Sequence, residues 1–423
     1  MLAPAAPSSG AAGLPPGSVA GVTPPGATPP APTFAGRAFP SLPRAIELGR
    51  AHAPTAVGAQ NELAIGRSQY AGAGFRQLGN PYLEVFVDRG NGGATKDLAV
   101  QGNLWLPLEL SGQRGRRLAE VDSLVAWKTA NAEAVQADVA GRVVTAFGNA
   151  VVANERVRTF ESILTTSKSE AELYRARMVA GDATLRDAKL AEVEVARNGV
   201  TVAEARADLA RALSEMEQLT GLEGLGAPSS DMPEPPRVLT GAEDKADQLA
   251  QRAPVVTASD KEADYFVKAK ARQSLESHAP VNLILSAGRG DLGEARVGGG
   301  VSWTFPVLRQ NQAEQARADA ERTRAMSERS VRARVVTSVI RGLAREHEAV
   351  RAAIDEMVIS GEPAAQASVD AAATIHRAGK GELLNVLIAR RDLVLLKARR
   401  LELLRRDWQI AGEFVSISGD LPR

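Results

Sequence analysis

The apolar positions of this chain follow two different periods. Over residues 182–219, Val195, Val202, Ala205, Leu209, Ala212, Met216 and Leu219 fall at spacings of seven, three and four. That spacing predicts a coiled-coil seam rather than an ordinary surface helix. Arg197, Glu204, Arg206, Asp208, Arg211 and Glu217 occupy the other face, as a solvated or partner-facing side should. Upstream, Val139, Val143, Ala146, Ala150, Ala153, Val157, Phe160 and Leu164 repeat at fours and threes, in a stretch without a breaker from about residue 112 to 179. This predicts a helix of about 68 residues, about 100 Å long.

Two shorter stretches alternate instead. In 81–88, Leu83, Val85 and Val87 oppose Tyr82, Glu84, Phe86 and Asp88. In 98–110, Leu98, Val100, Gly102, Leu104, Leu106, Leu108 and Leu110 oppose Ala99, Gln101, Asn103, Trp105, Pro107 and Glu109. A period of two with one fully apolar face predicts two strands joined by a Gly-rich loop at 89–97.

The whole pattern occurs twice. Ala53-Pro54 answers Ala253-Pro254, Asn80-Pro81 answers Ala279-Pro280, and Leu106-Pro107 answers Phe305-Pro306. Gly181 answers Gly379, and Thr220-Gly221 answers Ser418-Gly419, all at offsets of about 199 residues. One spacing shared by so many breakers marks a tandem duplication of a long unit. The predicted organisation is an arm over 1–41, a first repeat over 42–221 and a linker over 222–241. A second repeat follows over 242–423. Its strands are expected at 281–288 and 296–306, its long helix from about Asn311 to Ala378, and its turn at Gly379. The helices expected at 42–78 and 242–277 precede the strands, with an interruption at Pro54 in the first. In each repeat the two shorter helices sum to about the length of the long one. They can therefore stack end to end along it, with the strands at one end and the turns at the other.

Four strands leave two unpaired edges. If their apolar face meets lipid, the sheet must close into a barrel, and four strands per chain then demand several copies around an open lumen. No run of about 20 apolar residues exists, so a helical membrane span is excluded.

Composition changes this picture little. A net charge of +1 offers no general attraction to nucleic acid, and the absence of cysteine excludes disulfides and thiolate metal sites. Residues 1–41 are Pro-, Gly- and Ala-rich and read as a disordered arm. They lack the basic start and continuous apolar run of a secretory signal. Three readings stay open: a misplaced start, a removed signal, or a protein that stays inside.

The stretches 173–221 and 375–419, the segment VGGGVSWTFPVL before the second long helix and GNPYLEV in the first strand resemble the TolC family of outer membrane efflux proteins. The segment LPLELSGQRGRRL at 106–118 resembles the heavy-metal-efflux branch. The resemblance covers about residues 42–420. It implies a mainly α fold of long antiparallel helical hairpins that form a periplasmic tunnel. Four strands per chain would enter a 12-stranded barrel shared by a homotrimer in outer membrane lipid. It also implies a passive exit duct that docks a periplasmic adaptor and an inner-membrane pump of the RND type, with no cofactor and no enzymatic activity.

Family residues carry over in part. The tip turns correspond to Ala180-Gly181-Asp182 and Ala378-Gly379-Lys380, which keep the glycine and lack the usual preceding valine. The resemblance therefore points to Gly181, Asp182, Thr184, Leu185, Gly379, Lys380, Gly381 and Leu383 as an adaptor-docking tip. A gate acid matches Asp187, but its arginine partner aligns with Gly381, leaving Lys380 as the substitute. The acids that narrow the tunnel match Asn385 and Ile388. Val85, Leu104, Leu106, Leu108 and Val301 are the residues expected to face lipid.

Other signals have simpler readings. Residues 288–293 fit G-x-G-x-x-G, but a strand rather than a helix follows, so a hairpin loop is expected instead of a dinucleotide site. Gln113-Arg114-Gly115-Arg116-Arg117 is either a lipid-phosphate contact or a solvated helix start. Arg390-Arg391, Arg399-Arg400 and Arg405-Arg406 read as a solvated helix face. His52, His278, His347 and His376 lack ligand partners at helical spacing, so no metal centre is expected. The alternative to the duct is a soluble coiled-coil scaffold with a small β cap, which would not need the apolar face of 98–110.

Overall fold

The computed structural model describes residues 36–75, 79–89, 98–229, 233–236, 239–276, 281–290 and 293–420. Most of the arm expected at 1–41, nearly all of the loop expected at 89–97 and part of the 222–241 linker lie outside the described residues.

The first half of the chain runs α1 (Leu42–His52), α2 (Pro54–Ser68), α3 (Tyr70–Ala73), β1 (Tyr82–Arg89), β2 (Leu98–Leu108), α4 (Gln113–Ala180) and α5 (Leu185–Thr220). The second runs α6 (Ala246–Arg252), α7 (Pro254–Glu276), β3 (Val281–Arg289), β4 (Ala295–Ser302) and α8 (Gln312–Glu356). A π-helical turn (Met357–Gly361), α9 (Glu362–Arg377) and α10 (Leu383–Ser418) complete it. The helices before the strands break at equivalent alanines. Ala53 (φ −59°, ψ 133°) and Ala253 (φ −56°, ψ 134°) are extended because the following proline crowds the helical conformation of the residue before it. The end of α5 lies against α1, with Gly221 beside His52, and the end of α10 lies against the start of α7, with Gly419 beside Pro254. The two joints are equivalent, and in each half the shorter helices meet end to end beside the long one.

The expectation of one unbroken helix from Asn311 to Ala378 is corrected. A π-helical turn divides it, and Pro363 in the first turn of α9 supplies the reason. A proline inside a helix has no N–H for the preceding turn and its ring crowds the carbonyl there, which a widened turn relieves. The first half has no proline in the corresponding stretch, 163–166, and α4 runs unbroken for 68 residues. The strand expected at 296–306 ends at Ser302, where the β3 ladder runs out at Asn282. That expected at 98–110 ends at Leu108, opposite Val281.

The core follows the seams. Val139, Val143, Ala146, Ala150, Ala153, Val157 and Phe160 of α4 are buried, and so are Val202, Ala205, Leu209, Ala212, Met216 and Leu219 of α5. The seven-residue gap in the α5 seam is filled by Asn198, only 7% exposed, whose Nδ2 donates to Ser167 Oγ at 2.8 Å. A satisfied polar residue at a seam position fixes the register of two helices. Fully buried Trp408 of α10 lies over Gly148 of α4. One turn further on, Gly412 meets Gly141 so closely that a Cβ on Gly412 would lie 2.6 Å from the Gly141 carbonyl oxygen.

Candidate functional site

The four strands form one antiparallel sheet in the order β1-β2-β3-β4. Side chains directly opposite each other in such a sheet share a face. Leu83 pairs with Leu104, Leu104 with Leu285, and Leu285 with Gly299; Leu106 pairs with Leu283, and Leu283 with Val301. Followed through the register, this face holds only apolar residues and glycine until its loop end. Leu83 (66%), Val85 (59%) and Val301 (70%) are strongly exposed on it. The opposite face carries Glu84, Asp88, Gln101, Asn103, Asn282, Ser286 and Ser302. There Trp105 stacks on Tyr82 with ring centroids 5.5 Å apart and donates Nε1–H to Glu84 at 2.9 Å. The outer edges of β1 and β4 have no strand partner among the described residues.

The hairpin tips lie at the opposite ends of α4 and α9. Gly181 (φ 84°) and Gly379 (φ 72°) are left-handed, a conformation glycine reaches without a Cβ clash. Each closes its helix with the same pair of bonds. Asp182 N donates to Arg177 O at 2.8 Å and Gly181 N to Met178 O at 3.2 Å. Lys380 N donates to Ile375 O at 3.1 Å and Gly379 N to His376 O at 2.9 Å. These are Schellman closures, which satisfy carbonyls left open at a helix end. Thr184 then caps α5: Asp187 N donates to Thr184 Oγ1 at 3.1 Å, while the Asp187 carboxylate receives both the N–H and the hydroxyl of Thr184. Asp187 is therefore a helix cap. Leu185 is 63% exposed beside it. Lys380 is exposed, and Asn385 donates its backbone N–H to Glu382 O at 3.2 Å.

The two tips are packed together. Tyr174, Ala191, Leu383 and Val386 form a small buried cluster that draws on both hairpins. Tyr174 and His376 are hydrogen-bonded at 2.7 Å, and Glu170 pairs with Arg390 across the same junction. Of the tip residues named from sequence, the structure buries Leu383 in this cluster and leaves Gly181, Asp182 and Gly379 at the surface.

The remaining chemistry is structural. His347 and Arg351 of α8 hold fully buried Asp407 of α10, with Nδ1 2.6 Å and Nε 2.7 Å from its two oxygens. His278 lies outside the described residues. The segment at 288–293 joins β3 to β4, with Gly290 N donating to Glu294 O at 2.9 Å; its Asp291 and Leu292 lie outside the described residues.

The fold and its two faces can be set beside known proteins. No family model matches the chain. A relative is the cobalt-zinc-cadmium resistance protein CzcC of Cupriavidus metallidurans, 24% identical over 353 residues, which are 81% of this chain and 82% of CzcC. The structure superposes on the outer membrane protein VceC of Vibrio cholerae with a TM-score of 0.69 at 14% identity, covering 90% of this chain and 97% of that one. On the open state of the outer membrane channel MtrE of Neisseria gonorrhoeae it scores 0.68 at 16% identity, covering 90% and 89%. The chain has the fold of the TolC-type outer membrane channels.

Within that channel fold, several residues carry no periodic sequence signal. Arg117 reaches Glu109 with two nitrogens, at 2.6 and 3.1 Å, and Phe75 O at 2.6 Å; Arg114 donates to Gly74 O at 2.9 Å. These two arginines clamp the chain after α3 onto the start of α4. The face at Arg390 to Arg406 is likewise not simply solvated. Arg390 pairs with Glu170, Arg400 with Glu362, and Arg406 grips Glu346 through two bonds of 2.6 and 2.8 Å. One member of each arginine pair thus ties α10 to α4, α9 or α8.

Proposed function

We propose that three copies of this chain form a passive exit duct in the outer membrane, with their helical hairpins continuing as a tunnel into the periplasm. The observation that carries this reading is the sheet. One face holds only apolar residues and glycine until its loop end, the other carries Glu84, Asp88, Gln101, Asn103, Asn282, Ser286 and Ser302, and both edges are open among the described residues. A soluble cap would leave the first face in water and the edges exposed to aggregation. Closure around copies removes both faults, with the polar face lining a lumen. Leu104, Leu106, Leu108, Val85 and Val301 then meet lipid.

The hairpin tips are the end that docks a periplasmic adaptor, itself coupled to an inner-membrane pump of the RND type. Gly181, Asp182, Thr184, Gly379, Lys380 and Gly381 supply a surface of small and polar groups around the exposed Leu185 that another helical hairpin can approach closely, with Leu383 anchoring the two tips beneath them. Asp187, Lys380 and Asn385 are the residues we assign to a gate that would narrow the tunnel. The equivalent proline breaks and end-to-end joints support a duplicated unit, 42–221 and 242–423, joined by 222–241.

The likeness to CzcC makes divalent metal ions the first cargo to test. A strain lacking this gene should lose tolerance to cobalt, zinc and cadmium salts, and the purified protein should open large, long-lived conductances in planar bilayers. Conductance with unchanged metal tolerance would keep the duct and redirect the cargo. A folded protein that neither inserts nor conducts would overturn the duct.

A further inference from the structure

The apolar face of the sheet does not end in the same way at its two ends. At the helix end, the chain leaves β4 through Trp303 and Phe305, whose rings lie 4.4 Å apart and are both exposed. At the loop end, the face stops at two arginines. Arg89 pairs with Leu98, and Arg289 pairs with Val100 and Ala295, so both side chains belong to the apolar face. Both are exposed, and neither has a carboxylate partner among the described residues. The third arginine at this end, Arg296, pairs with Gly288 on the opposite, polar face, and Glu294 takes its charge. Arg89 and Arg289 stand on β1 and β3, two strand spacings or about 10 Å apart across the sheet.

With no carboxylate beside it among the described residues, a guanidinium bordering an apolar surface is poorly placed unless an anion meets it there. From Leu98 to Leu108 the apolar band of β2 spans about 33 Å along the strand, or about 25 Å along the normal of a tilted barrel wall, which matches a lipid-facing band. Arg89 and Arg289 stand level with Leu98 and Val100 at the loop end of that band, from where long guanidinium side chains reach the headgroups. Since the helical tunnel leaves the sheet at the other end, that level is the outer leaflet. We infer that Arg89 and Arg289 form a phosphate-binding rim for the anionic lipid of the outer leaflet, repeated in each copy. The aromatic pair at the other end suits the ordinary phospholipid interface of the inner leaflet. This inference rests on the duct reading, because it requires the apolar face to meet lipid.

The test uses the purified full-length protein in detergent, titrated with phosphorylated lipopolysaccharide, with dephosphorylated lipopolysaccharide and with inorganic phosphate. The double variant Arg89→Gln/Arg289→Gln should bind phosphorylated lipopolysaccharide about 10-fold to 30-fold more weakly, the loss expected for two cations at an anionic lipid surface. Arg296→Gln should bind as the parent does, and removing the phosphates should abolish the difference between parent and double variant. Equal binding by parent and double variant would overturn the inference, as would an equal loss in Arg296→Gln. Displacement of the lipid by millimolar inorganic phosphate would make this a free-anion site and overturn the lipid assignment. Insertion of each protein into phosphatidylcholine vesicles separates the two levels of the argument. Insertion without lipopolysaccharide preference removes only the rim, whereas failure of the parent to insert removes the duct reading and the rim with it.

Discussion

The Tyr174 hydroxyl donates to Nε2 of His376 at 2.7 Å, and the other side of the ring fixes that direction. Nδ1 of His376 lies 2.8 Å from the carbonyl oxygen of Gly381, which can only accept, so Nδ1 carries the proton and Nε2 is the acceptor. Burial raises the Tyr174 phenol above its ordinary value, which keeps it in the donating form. The relay joins the end of α4 to the turn of the second hairpin. Tyr174→Phe leaves Nε2 without its donor at a cost of about 1 kcal/mol. Hydrogen exchange should quicken at 383–386 and stay unchanged at 139–151, in the middle of α4.

The faces of β2 predict opposite tolerances at neighbouring positions. Leu106 shares the apolar face with Leu283 and Val301, while Asn103 shares the polar face with Glu84 and Ser286. Leu106→Arg is expected to cost about 2–4 kcal/mol near the midplane of a bilayer. Asn103→Arg, facing the lumen, should cost little. Unfolding titrations of both variants in lipid vesicles measure the difference, and equal costs would reverse the register or remove the lipid.

Burial raises the carboxyl of Glu120 on α4 above the ordinary value of 4.5, an effect larger than the opposing pull of its partner Arg272. The folded chain thus holds this proton more tightly than the unfolded chain. The stabilisation it brings is fully present below 4.5 and is lost as pH rises through the raised folded value. Glu120→Gln should flatten the decline in thermal stability across that window. A variant with the same slope as the parent would place the pH dependence elsewhere.

The contact between α4 and α10 predicts a contrast between two glycines. A Cβ on Gly412 would lie 2.1 Å from Thr145 Oγ1 and 2.6 Å from the Gly141 carbonyl oxygen, so Gly412→Ala must push the helices apart. The expected cost is about 1–3 kcal/mol. Gly199, inside α5, has nothing within 4 Å of such a Cβ, and Gly199→Ala should stabilise by about 0.5–1 kcal/mol. Denaturant midpoints of the two variants should move in opposite directions.

What could be read from the sequence was whatever repeats. The seams of α4 and α5 and the alternation in β1 and β2 encode which face is buried, and Leu83, Val85, Leu104 and Val301 do share one face of the sheet. Residues that break a period carry no such signal. Asn198 looks like a gap in an apolar seam, yet it is the polar residue that sets the register there. Pro363 was present to mark the π-helical turn, but the surrounding helical pattern masked it. Tyr174 and His376 lie 202 residues apart and meet only because two hairpins pack side by side, which no local pattern reports. Arg400 and Arg406 look like a solvated face until the neighbouring helices bring Glu362 and Glu346 to them.

The central claim is that the open edges of β1 and β4 close on other copies. Within one chain these edges lie at opposite sides of the sheet, three strand spacings or about 14 Å apart, well beyond the Cα separation of about 7 Å that a disulfide can span. The chain has no cysteine, so an introduced pair reports on this contact alone. Glu84→Cys or Phe86→Cys, combined in turn with Gly298→Cys, Gly300→Cys or Ser302→Cys, samples the registers of the seam on one face. In outer membranes, one combination should oxidise to a covalent ladder that ends at three chains. A folded, monodisperse monomer that cross-links in none of these combinations would contradict the account.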